Sequence, residues 1–161
     1  MIARALMVAL ALVVAGCSSP PTRMPEDFTG TNTYDSGMLP APQYEWTLTF
    51  TATDATMAWR PGNDPATPPW TRTVPVTAEA RATLYRDLRD AGAFSTPDGG
   101  DAGIGGPTGR ITLTADGETY DTARLAAARL PLLRAAHDAA VDLLPGDVWA
   151  EFERGQKEFG G

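Results

Sequence analysis

The feature that most constrains the fold is a strict alternation of apolar and polar side chains from Tyr44 to Phe50. The apolar members are Tyr44, Trp46, Leu48 and Phe50, and the polar members are Glu45, Thr47 and Thr49. Alternation of this kind, with β-branched and aromatic residues, predicts a half-buried strand. Its sheet would have one covered and one solvent-exposed face, which favours antiparallel pairing.

Four further segments are predicted as strands, at 56–60, 70–76, 110–115 and 118–122. The proline-rich residues 61–69 predict a surface loop, because proline lacks an N–H donor and fixes φ. Pro75 predicts that the strand at 70–76 ends at a sheet edge or a bulge. The pair Asp116-Gly117 is typical of a two-residue hairpin turn between the last two strands.

Two longer helices and one short helix are also predicted. The first covers 77–91, with Thr77 as its N-cap and Gly92 as its C-terminal stop. The second begins near Pro131, and a short last helix, with Asp147 as a possible cap, runs from 148 to about 158.

These elements predict one α+β domain over residues 43–161. Its antiparallel sheet has four to six strands, two longer helices pack on one face, and a short helix lies at the C-terminus. The tryptophans are predicted to form the core beneath the helices rather than line a ligand groove: Trp46, Trp59, Trp70 and Trp149.

The N-terminus has a different character. A single positive charge, Arg4, precedes an uncharged run at 5–16. This run is shorter than the roughly 18–20 apolar residues needed to span a bilayer as a helix. A charged start, a short apolar segment and small residues before a cleavage site are typical of a secretory signal peptide, predicted here over residues 1–16.

The four residues Val14-Ala15-Gly16-Cys17, at the end of this run, resemble a bacterial lipobox. The resemblance implies that the Cys17 thiol receives a diacylglyceryl group and that a peptidase cuts before it. Cys17 would then attach the protein to membrane lipid, stably if it carries two or three acyl chains. Ser18 and Ser19 do not resemble the aspartate-type retention signal of the inner membrane. The expected location is the cell envelope, and the outer membrane is favoured in a cell with two membranes.

Residues 17–42 are predicted to be the lipidated cysteine and a flexible tether, because Pro, Ser, Thr and Gly dominate without apolar periodicity. Phe28, Tyr34, Met38 and Leu39 are possible docking points on the domain. The order of lipobox, tether, strand, helix, glycine-rich loop and hairpin resembles small α+β bacterial envelope lipoproteins of uncharacterised function. This resemblance transfers no site residues to the domain.

No catalytic, cofactor-binding or metal-binding residues are predicted. Cys17 is the only cysteine, so an intramolecular disulfide and a cysteine metal site are excluded. The only histidine, His137, lies within the second helix and is interpreted as a surface or partly buried helix residue. No Gly-x-Ser-x-Gly nucleophile motif is present. Paired carboxylates of the glycosidase type remain open, since such pairing is spatial.

The glycine-rich residues 97–109 do not form a phosphate-binding motif. The dinucleotide pattern would need glycine at Thr108 and a following helix, and the P-loop pattern would need lysine. Asp98 and Asp101 could share a calcium ion, but the ordered series of oxygen ligands in a calcium loop is absent. The formal net charge of −7 argues against nucleic acid and against polybasic adhesion to anionic lipid.

Two functional hypotheses follow. The leading one is a non-enzymatic envelope lipoprotein whose domain binds or supports another envelope component. The alternative is a small periplasmic or surface hydrolase, or an inhibitor of one. An enzyme should show a concave pocket with converging polar groups, whereas a binding module should show an exposed apolar patch or an uncovered sheet edge.

Overall fold

The computed structural model describes residues 20–37, 43–62, 64–95, 106–122, 124–125 and 130–160. The predicted α+β class is confirmed, with six strands and three helices in these ranges. The elements are β1 (Thr29–Asp35), β2 (Tyr44–Phe50), β3 (Asp54–Pro61), β4 (Trp70–Pro75), α1 (Ala78–Asp90), β5 (Thr108–Ala115), β6 (Glu118–Asp121), α2 (Leu130–Leu143) and α3 (Gly146–Phe159). The C-terminal helix α3 has 14 residues, as many as α2.

The sheet order is β4-β3-β2-β1-β5-β6, and all neighbouring strands are antiparallel. Hairpin connections link β1 to β2, β2 to β3 and β3 to β4, and a further hairpin links β5 to β6. The strand β1 lies between β2 and β5 and is the only link between these two halves of the sheet.

The prediction of a flexible tether over 17–42 is wrong for Thr29–Asp35, which forms the central strand β1. Phe28, just before it, is fully buried. The sequence of β1 lacks a clear apolar period because two of its core-facing positions, Gly30 and Asn32, are small or polar. A Cβ at Gly30 would lie 2.8 Å from the Phe50 ring, and the Asn32 side chain donates a hydrogen bond to the Ala136 carbonyl at 3.0 Å. The folded domain therefore begins well before residue 43.

The two faces of the sheet differ as the alternation in β2 predicts. The covered face carries the apolar core, including Trp46, Leu48, Phe50, Met57, Trp59, Ile111 and Leu113. The open face is rich in threonine, and its strand register aligns one row across five strands: Thr73, Thr56, Thr49, Thr31 and Thr112. The three helices of the described ranges pack on the covered face, and none of them lies on the threonine face.

The first helix begins and ends as predicted. The Thr77 hydroxyl accepts a hydrogen bond from the Ala80 N–H, and Gly92 has a φ of +84° after the last turn. On α1 itself, the side chains of Leu84, Tyr85 and Leu88 are buried. The Asp116-Gly117 hairpin is also confirmed, since both residues have positive φ, as a type I′ turn requires.

The last helix differs in one detail. It begins at Gly146 after Pro145, and no side chain caps it, so Asp147 lies in its first turn rather than at the cap. A carboxylate there interacts favourably with the helix dipole.

Asp27 fastens the N-terminal segment to the β5–β6 hairpin. Its carboxylate accepts hydrogen bonds from the N–H groups of Gly117 at 2.7 Å and Asp116 at 2.8 Å. These two bonds lower the pKa of Asp27 below its ordinary value of 3.8, and the bond from Gly117 has the larger effect. The contribution to stability is therefore present when Asp27 is ionised and is lost as the pH falls through about 4 and below.

We expect Asp27→Asn to unfold at a lower urea concentration than the native sequence at pH 7, and this difference to shrink at pH 3. Below the ordinary Asp pKa of 3.8 the unfolded chain takes up a proton that the native carboxylate resists, so the advantage of the carboxylate over an amide decreases as the pH falls. Urea midpoints of both proteins at both pH values measure the effect. Because other carboxyl groups titrate in both proteins, only the difference between the two reports on Asp27. A difference independent of pH would contradict this assignment.

Candidate functional site

The predicted lipid-attachment residue, Cys17, lies outside the described residues, as do the signal peptide and both Asp98 and Asp101. Within the described ranges, no helix is long and apolar enough to cross a membrane. The same ranges contain no group of three or more His, Cys, Asp and Glu side chains arranged to hold a metal ion.

His137 lies on α2 among aromatic rings. Its ring centroid is 5.4 Å from that of Trp149, 5.6 Å from that of Tyr34 and 5.8 Å from that of Trp46. Its Nδ1 is 3.6 Å from an Asp138 carboxylate oxygen that is largely exposed. The sequence interpretation of His137 as a partly buried helix residue agrees with this packing.

An aromatic stack extends from this region towards α3. Tyr44 stacks on Trp59 with centroids 4.6 Å apart, and Trp59 stacks on Phe152 at 5.8 Å. Burial, together with a hydrogen bond to Tyr34, raises the pKa of Tyr44 to about 12. Trp46 and Trp59 are each only 2% exposed. The prediction that the tryptophans form core rather than a groove is confirmed for these two. It is wrong for Trp70, which is only partly buried, as is Trp149, and which lines the groove described below.

The position of α3 over the sheet is fixed by a buried glutamine. Gln156 accepts a hydrogen bond from Trp59 Nε1 at 2.9 Å and donates one to the Gln43 carbonyl at 3.0 Å. Because Gln156 is only 5% exposed, these bonds replace the water that its amide would otherwise bind. They hold α3 beside the outermost strand, β4.

An open groove separates α3 from β4. It has a volume of about 1020 Å³ and is lined by Trp70, Thr71, Arg72, Asp147, Glu151, Phe152, Arg154, Gly155, Glu158 and Phe159. We call it the β4–α3 groove. His137 does not line it, and its volume exceeds those of two smaller depressions, of about 260 and 390 Å³.

Two aromatic side chains form the apolar part of the β4–α3 groove. The Trp70 ring lies against Gly155, where a Cβ atom would come within 2.9 Å of it. The Phe159 ring meets Trp70 edge to face with centroids 6.4 Å apart. Phe159 is 53% exposed and is the one large apolar side chain exposed in the described part of the chain. The groove therefore offers an apolar surface to solvent.

Charged residues surround these rings. Arg72 on β4 binds both carboxylate oxygens of Glu151 on α3, with N–O distances of 2.5 and 3.2 Å. This bidentate pair is half exposed and links strand to helix. Arg154, Asp147 and Glu158 also line the groove, so its rim carries both signs of charge.

The edge of β4 completes the site. Among the described strands, only β3 pairs with β4, which confirms the edge position predicted from Pro75. The Val76 N–H donates to the Thr53 carbonyl, on the side of β3. Since N–H groups alternate in direction along an antiparallel strand, those of Thr71 and Thr73 point away from β3. No other strand in the described part of the chain pairs with them.

A smaller depression, of about 390 Å³, lies around the C-terminal end of β1, where β1 pairs with the first residues of β2 and β5. Its charged side chains are joined in pairs: Arg60 with Glu45, Arg110 with Asp121, and Arg124 with Asp35 at 3.5 Å. The strands beneath it are paired on both sides. The β4–α3 groove is the stronger candidate because it combines exposed apolar rings with an unshared strand edge.

Comparison with protein-family models gives no match for this chain, and comparison with curated proteins gives none either. The function must therefore be argued from the residues and their geometry. The sequence predicts an edge or a bulge at the end of β4 but not the groove, which depends on where α3 packs. The aromatic character of Trp70 and Phe159 was the available signal.

Proposed function

We propose that this chain is a bacterial envelope lipoprotein, anchored through acylated Cys17, whose α+β domain binds an extended segment of a partner envelope protein in the β4–α3 groove. The domain acts as a binding or accessory module rather than as an enzyme. The lipobox residues support the anchor. The unshared edge of β4, next to Trp70 and Phe159, is the single observation that carries the binding role.

An extended peptide suits this site better than a compact ligand. Its backbone would accept hydrogen bonds from the outward N–H groups of Thr71 and Thr73, so that it adds a seventh strand. Strand addition places alternate side chains of the peptide on one face, where the Trp70 and Phe159 rings offer apolar contact. The exposed Arg154 and Glu158 can bind polar side chains along the rim.

Photo-crosslinking in intact cells tests the groove. A photoreactive amino acid replaces Arg154, which lines the groove, or Lys157, which is exposed on the same helix but outside it. We expect position 154 to give a discrete crosslinked product at several times the yield from position 157. Mass spectrometry of that product identifies the partner segment.

A matched pair of variants shows whether the edge of β4 is responsible. Thr73→Pro and Thr73→Ala both remove the hydroxyl that pairs with Thr56, but only proline also removes the outward N–H. We expect the crosslink from position 154 to disappear in Thr73→Pro and to persist in Thr73→Ala. Equal yields from positions 154 and 157, or a crosslink that survives Thr73→Pro, would rule out strand addition at β4.

A further inference from the structure

The N-terminal segment is bound to α1 through its main chain. The Tyr85 hydroxyl donates a hydrogen bond to the Pro21 carbonyl at 2.5 Å, and Arg89 donates to the Thr22 carbonyl at 2.8 Å. Arg81, which is 6% exposed, donates to the Phe28 carbonyl at 2.5 Å. Since buried charge must find partners, Arg81 ties this segment firmly to the helix.

Side chains of the same segment add to this attachment. Phe28 is buried between Phe50 and Tyr85, with ring centroids 5.1 and 5.0 Å away, and Met24 packs against the core. Asp27 binds the β5–β6 hairpin. The chain is therefore held from Pro21 onward, and we call residues 21–28 the N-terminal clamp.

The clamp shortens the connection between anchor and domain. Cys17 stands four positions before Pro21. A fully extended chain spans at most about 3.6 Å per residue, so the lipid-bearing residue lies within roughly 15 Å of Pro21. A free tether reaching residue 42 would instead span roughly 25–30 Å on average and leave the domain free to turn.

We propose that the surface around the start of the clamp rests against the lipid bilayer. This anchor-side surface consists of Pro21, Thr22 and Arg23 together with Arg89, which binds the Thr22 carbonyl, and Arg86, which is three residues before Arg89 on α1 and so lies on the same side of the helix. The inference rests on the proposed acylation of Cys17, and its occupant is the head-group layer of the membrane that holds the lipid. Guanidinium groups hydrogen-bond well to lipid phosphates. The contact is nevertheless imposed by chain length, because Arg86 and Arg89 already pair with Asp87 and Asp90.

The same geometry orients the binding groove. The C-terminal end of α1 lies beside β6, since Tyr85 contacts Phe94 at 5.2 Å and Phe94 contacts Tyr120 at 5.0 Å. The β4–α3 groove lies at the opposite edge of the six-stranded sheet. At about 4.8 Å per strand, the sheet places roughly 24 Å between these edges. With the anchor-side surface resting on the bilayer, the groove is therefore the more distant of the two from the lipid.

Fluorescence energy transfer to the bilayer tests this orientation. The acylated full chain is placed in phosphatidylcholine vesicles that contain an acceptor-labelled lipid head group. A donor dye is attached to Arg86→Cys or, as the control, to Lys157→Cys on α3; acylated Cys17 has no free thiol. We expect transfer from position 86 to exceed that from position 157 at least about twofold, given the distances above. Raising the salt concentration should leave this ratio unchanged, because tether length rather than charge sets the contact.

A linker variant and an acylation assay separate the two proposals. Inserting 20 Gly and Ser residues between Ser19 and Pro20 should bring the ratio close to one, because such a linker adds roughly 25 Å of flexible reach. Equal transfer from both positions in the acylated native chain would overturn the orientation alone. Absence of palmitate incorporation, with Cys17→Ser indistinguishable from the native chain in membrane fractionation, would overturn the lipid anchor and with it this inference.

Discussion

Phe28→Ala is expected to lower the free energy of unfolding by about 3–5 kcal/mol, as removal of a fully buried aromatic ring usually does. Phe28 has no exposed surface and packs against Phe50, Tyr85 and Phe94. Removing its ring leaves a cavity between the clamp, the sheet and α1. Urea unfolding followed by tryptophan fluorescence measures the loss, since Trp46 and Trp59 are buried and report on the folded core.

The matched control is Phe159→Ala. It makes the same chemical change at a ring that is 53% exposed, and we expect it to alter stability by no more than about 0.5 kcal/mol. If residues 17–42 were a flexible tether throughout, Phe28→Ala would be as mild as this control. Equal and small effects of both substitutions would thus disprove the place of Phe28 in the core.

Gly109→Ala is expected to destabilise the protein by about 2–3 kcal/mol through overpacking. A Cβ at this position would lie 2.4 Å from Leu133 Cδ1 and 2.7 Å from the Thr33 carbonyl oxygen. Leu133 could move aside, but the Thr33 carbonyl belongs to β1, which is paired on both sides. Gly109 also exchanges two hydrogen bonds with Leu125, which limits movement of its own backbone.

Gly146→Ala serves as the control for this substitution. No atom lies within 4 Å of a Cβ at Gly146, which begins α3, so alanine should leave stability unchanged or raise it slightly. Thermal or urea unfolding of the two variants measures the difference. If both glycines tolerate alanine equally, β5 does not approach β1 and α2 as closely as the structure has it.

The sequence predicts the parts of the fold in which each strand carries its own apolar period. The strand β2 is predicted from its alternation, and the turn at Asp116-Gly117 from its residue types. The strand β1 could not be predicted in this way, because Gly30 and Asn32 occupy core-facing positions. Gly30 fits because Phe50 and Leu113 leave no room for a side chain there. Asn32 fits because its amide donates a hydrogen bond to the Ala136 carbonyl. The period-two threonines at 29, 31 and 33 were a signal that could have been weighed.

The candidate site was less predictable than the fold. Pro75 indicates that β4 lies at an edge, but nothing local to β4 indicates which helix lies beside it. That depends on contacts between residues far apart in the chain, such as Arg72 with Glu151, 79 positions later. The small size of Gly155, which admits the Trp70 ring, likewise gains its meaning only once α3 is in place.

The central position of β1 has a consequence for the kinetics of folding. Within the group β1 to β4, each hairpin pairs two strands that follow one another in the sequence, and the hairpin of β5 and β6 does the same. Joining the two halves requires β1 to pair with β5, and Thr33 and Arg110, which meet in this pairing, are 77 positions apart. Closing so long a loop has a large entropic cost before any contact rewards it, and such non-local pairing slows folding. We therefore expect β1, the first of the described strands, to acquire its second neighbour late and its pairing with β5 to limit the rate of folding.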